Sequence, residues 1–113
     1  LMIPTQCEYY ALEGLSALLE TMKKIKRVLN PELEIDGVLR TMFDSRNNLA
    51  REVSGQLMAH FGEKVYRTII PRNVRLAEAP SHGIPVLMYD SSSAGSLAYL
   101  SLAGEMLRSK NNA

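Results

Sequence analysis

The chain has 113 residues, enough for one domain with a modest core. Hydrophobic residues are 46% and charged residues 22%, the mix of a soluble globular protein, and a formal net charge of +1 lets bulk electrostatics select no partner. The single Cys7 excludes an intrachain disulfide and a cysteine metal cluster, and no apolar run approaches the roughly 20 residues a membrane helix needs.

Residues 1–4, LMIP, are apolar at successive positions, as in a strand covered on both faces. A chain that starts without Met and directly in a strand reads as a piece of something longer, and no signal-peptide pattern opens it, so the cytoplasm is the expected compartment. From Leu12 the residues Leu12, Leu15, Leu19 and Met22 recur at helix spacing, with Leu18, Ile25 and Leu29 widening the stripe. Lys23, Lys24, Lys26 and Arg27 fall late in this helix, where cations suit the carbonyl end of the dipole. Asn30 and Pro31 stop it.

Residues 35–43, IDGVLRTMF, predict a second strand, and DSRNN a loop and helix start. Leu49, Val53, Leu57 and Phe61 give a second amphipathic helix, ended by Gly62. Residues 64–70, KVYRTII, predict a third strand. A polar, proline-bearing loop follows, IPRNVRLAEAPSHG, in which Asn73 is placed to cap a short turn over residues 74–79. Pro80 ends that turn, and Gly83 is expected in a backbone conformation closed to other residues. Residues 85–89 are apolar and read as extended, a short strand or a packed connector. The run Ser91, Ser92, Ser93 is placed to cap a last helix whose inward stripe is Leu97, Leu100, Ala103 and Leu107, and the tail SKNNA is expected to fray.

Strand, helix, strand, helix, strand, connector, helix is the order of a parallel α/β sheet with right-handed crossovers. Ligands of such sheets sit beyond the C-terminal ends of the strands. Here those ends are residues 5–8, 41–46 and 71–75, which gives the polar loop an address on the functional rim. No repeat, low-complexity tract or linker divides residues 1–113.

The sequence holds neither a GxxxxGK(S/T) phosphate loop nor GxGxxG. His60 lies in a helix and reads as structural or solvated, and His82 sits in the rim loop. Two histidines and one cysteine so far apart make no zinc site. Cys7 has no base beside it in sequence and reads as a small buried residue, not a nucleophile. No catalytic residue and no metal ligand is assigned, and the chain by itself is not expected to be a catalyst.

Three long strings occur in order: IPTQCEYYALEGLSALLET, GVLRTMFDSRNNL and VYRTIIPRNVRLAEAPSHGIPVLMYD. Together they resemble the C-terminal half of ParA-type partitioning ATPases, the Soj-like chromosomal branch, over essentially the whole chain. The resemblance implies a partial doubly wound, mostly parallel sheet of the P-loop NTPase fold with a deviant Walker A motif, ParA/MinD-like. It also implies that the phosphate loop and the magnesium-binding and water-activating acids belong to an N-terminal half not contained in these residues. The intact protein would then bind ATP and Mg2+, form a nucleotide-sandwich dimer with a second copy of itself, and bind double-stranded DNA without sequence preference. A ParB-type partner would stimulate hydrolysis, the protein would be cytoplasmic and associated with the nucleoid, and no membrane would be involved.

By the same resemblance Thr41, Met42 and Asp44 stand where related folds meet the base, and Pro71 and Asn73 belong to a loop that closes over adenine. An adenine needs a flat apolar slot with a few directed hydrogen bonds. Met42 and Pro71 suit the slot, and Asn73 offers a donor and an acceptor to a purine edge. Thr41 equally satisfies strand-end backbone, Asp44 equally forms a turn with Ser45, and Asn73 equally serves as the helix cap. Glu8 is placed to reach the partner subunit's ribose, or to be a solvated rim charge. Arg46 and Arg75 match exposed arginines that the family turns toward DNA phosphates. The cations at residues 23–27 extend that patch or solvate a helix face. Where the family often carries basic residues after YD, this chain has SSSAGS. Two rivals remain at this level: a stand-alone, non-enzymatic DNA-binding or adaptor module, and a relative of septum-positioning ATPases, although LRSKNNA lacks the long apolar face of a membrane-surface helix.

Overall fold

A computed structural model describes residues 1–7 and 11–111. Its elements are β1 (Met2–Gln6), α1 (Ala11–Val28), β2 (Gly37–Phe43), α2 (Asn48–Phe61), β3 (Val65–Pro71), α3 (Val74–Glu78), α4 (Val86–Tyr89) and α5 (Ala94–Asn111). Short 3-10 turns cover Gly62–Lys64 and Ala79–His82. The three strands form one sheet in the order β1-β2-β3, and both pairings are parallel. The alternation of strand and helix thus gives the predicted class.

Neighbouring residues of β2 face opposite layers. Val38 packs with Ile3, Val65, Leu15, Met22, Val53 and Leu57 in a core shared with α1 and α2. Leu39 packs with Ile70 and Leu102 under α5, joined by Tyr66, Leu76 and Ala98. Helices therefore lie on both faces, and β2, buried from Gly37 to Arg40, is the centre of a three-layer arrangement.

Helix ends follow the local chemistry. Asn47 caps α2 by accepting from Leu49 N, and Gly62 closes it with φ 54° and an N–H donated to Met58 O. Ser93 Oγ accepts from Ser96 N at 3.2 Å, so the serine run does cap α5. Gly83 takes the left-handed conformation expected of it, φ 70°.

Several expectations are corrected. β1 alternates between exposed and buried positions, because α5 covers β2 and β3 but leaves Met2 and Pro4 open. Residues 86–89 form a helical turn, α4, not a strand: Met88 N and Tyr89 N both donate to Pro85 O, and an apolar run this short has no period to distinguish the two. On α1, Leu15 and Met22 are buried as expected, yet Leu18, Ile25 and Leu29 are exposed, and the side chain of Leu12 lies outside the described residues. Leu49 of α2 is exposed as well, with Ala50 and Ser54 buried instead.

The largest correction concerns α5. Its expected inward residues Leu97, Leu100, Ala103 and Leu107 are exposed, while Gly95, Ser96 and Leu102 are buried. The helix is apolar over much of its circumference, so periodicity alone cannot orient it. Two contacts orient it instead. Gly95 lets Leu76 approach so closely that a Cβ there would sit 2.4 Å from Leu76 Cγ, and Glu105 binds the backbone of β3. The same helix runs on through Asn111, where fraying was expected from residue 109, and the last two residues lie outside the described part.

Candidate functional site at the strand ends

The C-terminal ends of β2 and β3 are not regular. Between the pairs Arg40–Ile69 and Phe43–Pro71, three steps along β2 match two along β3, so β2 carries one extra residue. Met42 absorbs it with φ 51°, the one positive φ of a non-glycine residue among those described. A methionine held there is strained, which is characteristic of sites whose side chain is aimed by its surroundings.

Beyond this bulge lies a cavity of about 470 Å3. Thr41 and Met42 from β2 and Ile70 and Pro71 from β3 line it on the sheet side. Arg72, Asn73 and the first turn of α3 close another side, and Tyr99 of α5 stands across from them. Its size and largely apolar walls suit a small flat ligand. Asn73 Oδ1 is taken up in capping α3 through Leu76 N at 3.3 Å, which leaves its amide N–H groups for a ligand.

Of the residues anticipated on the base side, Thr41, Met42, Pro71 and Asn73 are brought together here. Asp44 is not among the cavity walls. It accepts from Arg46 N at 3.0 Å, which closes the expected turn over Ser45, and from Arg46 Nε at 3.1 Å, which ties Arg46 to the same loop. Those hydrogen bonds hold its carboxyl below the usual range. Glu8 lies outside the described residues. Tyr99 and Arg72 were not anticipated as site residues. The sequence held no signal for Tyr99: it falls four residues after Gly95 and three before Leu102, positions whose burial only the packing of α5 reveals.

Arg46 and Arg75 are both at this rim and both exposed, but neither is unpaired. Arg46 is held by Asp44. Arg75 binds Glu78 at 3.0 Å and Asp90 at 3.3 Å, and Tyr89 donates its phenol to Glu78 at 2.6 Å. The phenol, then Arg75, lower the Glu78 pKa, and Glu78 raises that of Arg75. His82 stacks on Tyr89 with ring centroids 4.7 Å apart, so this histidine braces the cluster. Cys7 is buried beneath the rim, and burial pushes its thiol pKa up against the opposing pull of Arg40. Among the described residues no group of three or more His, Cys, Asp or Glu could hold a metal ion.

Comparison with known proteins bears on the fold and the family. A family model described as an AAA domain matches residues 1–35. An uncharacterised protein of Pseudomonas putida is 62% identical over 95% of this chain and 41% of its own length. The chromosome partitioning protein ParA of Caulobacter vibrioides is 55% identical over 93% of this chain and 39% of its own length. The sporulation initiation inhibitor protein Soj of Bacillus subtilis is 55% identical over 93% of this chain and 42% of its own length. Among solved structures, cobyrinic acid a,c-diamide synthase of Mycobacterium smegmatis with bound ADP and magnesium superposes with a TM-score of 0.67 at 28% identity, covering 95% of this chain and 37% of the other. The chain therefore spans about two fifths of the length of the relatives it matches. Identity of this level across nearly every residue, on a sheet shared with a nucleotide-binding enzyme, makes the chain a member of the ParA/Soj family of partitioning ATPases.

Proposed function

We propose that residues 1–113 form the C-terminal portion of a single ATPase domain that shapes the base pocket and carries DNA contacts. The observation that supports this most is the cavity at the strand ends, where Met42 and Pro71 supply apolar walls and Asn73 free amide donors. These residues fit a purine base. They do not by themselves fit Mg2+, since no carboxylate is among them. The intact protein would bind ATP and Mg2+, dimerise around the nucleotide, hold DNA non-specifically at the nucleoid and release it when a ParB-type partner stimulates hydrolysis. ATP would act as a switch between two quaternary states. Turnover belongs to the intact protein, since the phosphate-loop motif does not occur in these residues.

Paired variants of the full-length protein test the two roles separately. Met42→Ala with Asn73→Ala is expected to weaken ATP binding while leaving the fold intact. Arg46→Ala with Arg75→Ala is expected to leave ATP binding and dimerisation unchanged. It should weaken DNA binding equally on two unrelated duplexes, and the slope of log affinity against log salt should fall by about 1 for each phosphate that is no longer neutralised. Nucleotide titration beside fluorescence anisotropy over a salt series measures both. An unchanged DNA affinity and salt slope in the arginine pair, with the dimer intact, would defeat the DNA assignment. Unchanged ATP affinity in the first pair would defeat the pocket.

A further inference from the structure

A second cavity, of about 430 Å3, lies at the opposite end of the sheet. It is bounded by the later turns of α1 and by the segments that lead into β2 and β3. Leu19, Met22, Leu33 and Ile35 give it an apolar floor. Lys23, Lys26 and Lys64 stand around it with a single acid, Glu34. Lys64 Nζ donates to Ile35 O at 2.8 Å, which fixes one cation at the edge of the floor. Lys23 and Lys26 form no hydrogen bond or ion pair with any described residue. Lys24 and Arg27 share their turns, so residues 23–27 carry four cations. Solvation of a helix face explains the cations but not the apolar hollow between them.

We propose that this cavity docks an acidic, amphipathic segment of a partner protein, with one large apolar side chain on the floor and carboxylates against the lysines. The pairing of an apolar pocket with a mainly cationic rim is how such segments are recognised: the anchor supplies burial, and the charges supply orientation and encounter rate. Nucleic acid would satisfy the lysines but has no aliphatic group for Leu19, Met22, Leu33 and Ile35. A bilayer would need exposed apolar groups at the hollow itself, and these four are buried or half-buried while the lysines around them are exposed. Val28 and Leu29, 72% and 78% exposed on the following turn, continue the apolar surface on which the segment would lie. The proposal does not depend on the nucleotide or DNA reading, because the cavity shares no residue with the strand-end site.

Selection of a random dodecapeptide display library on the full-length protein tests it. Enriched sequences are expected to hold Leu, Ile or Phe flanked by Asp and Glu. A fluorescent copy of the strongest should bind about tenfold more weakly to Lys23→Glu/Lys26→Glu, and more weakly as salt rises. Lys23→Gln/Lys26→Gln, which changes the charge less, should give a smaller loss in the same direction, with thermal melts confirming that both variants fold. Enrichment of no peptide, of peptides without excess acid, or of peptides indifferent to both variants would overturn the proposal. Displacement of the peptide from the wild type by duplex DNA or by phosphatidylglycerol vesicles, at concentrations that leave the strand-end arginine variants unaffected, would overturn it in favour of those ligands.

Discussion

Arg46 and Arg75 illustrate what single side chains do at the strand-end rim. Each guanidinium is held by nearby carboxylates, Arg46 by Asp44 of its own loop and Arg75 by Glu78 of its own helix with Asp90. Exposed pairs of this kind contribute little to stability. Their effect is to occupy donors that a phosphate would need, so on the proposed DNA reading a duplex would have to displace a carboxylate. Glu78→Gln is therefore expected to tighten DNA binding by about two- to threefold. Glu52→Gln, which removes the same charge from an exposed position on α2, should have a smaller effect. Anisotropy on both variants at one salt concentration decides it, and equal gains would reduce the pairing to general charge. Strand order alone puts both arginines on one rim, so their placement was legible in the sequence. Their partners were not. The turn of Asp44 over Ser45 was read but not the ion pair with Arg46 that accompanies it, and Asp90 reaches Arg75 only because residues 86–89 coil into α4.

At the scale of elements, the centre of β3 is held by two residues that periodicity passed over. Between the pairs Val38–Val65 and Arg40–Ile69, β3 carries extra residues and departs from regular pairing. Arg40, only 6% exposed, fills one side of this irregularity: its NH2 donates to Tyr66 O at 2.9 Å and its NH1 to Ser54 Oγ at 3.0 Å. Glu105 of α5 fills the other, accepting from Arg67 N at 2.7 Å and Thr68 N at 2.8 Å. The carboxylate thereby covers an edge that would otherwise offer free N–H groups to another strand. Burial alone would raise the Glu105 pKa, but the two backbone donors, with the Thr68 side chain and Arg108, together outweigh it and the net shift is downward. A depressed carboxylate contributes stability above its unfolded value, near 4.5, and loses it as pH falls through the lower folded value. Glu105→Gln should cost about 1–2 kcal/mol at neutral pH, and its stability should fall less steeply than the wild type's as the solution is acidified below that value. Denaturant titrations from pH 7 to pH 3 measure both, and parallel pH profiles would refute the assignment. An Arg in a β-strand and a Glu on an apolar helix each read as solvent-facing in sequence. Arg40 shares the side of Val38 and meets α2, and the packing of α5 turns Glu105 to the β3 backbone.

The molecule as a whole was legible in class and incomplete in surface. Strand and helix order implied the parallel sheet, and the helix start within DSRNN, the stop at Gly62 and the buried Val53 and Leu57 followed from local pattern. The orientation of α5 did not, and its Leu97, Leu100 and Leu107 now form an exposed apolar face. β1 adds an outer edge that no other strand among the described residues pairs with, and Met2 is exposed beside it. Such surfaces seek partners, so the 113-residue chain on its own should self-associate. Sedimentation velocity across a concentration series checks this, and a clean monomer throughout would contradict it.

The direction of α1 has a consequence for assembly. It starts beside the strand ends that bear Arg46 and Arg75 and finishes at the far pole, where the lysine-ringed hollow opens. A copy resting on a duplex by the arginine pole would turn its other pole outward. The two attachments would then be sterically independent, and a bound segment there would tether cargo or cofactor to the DNA in a ternary complex without prying the protein off.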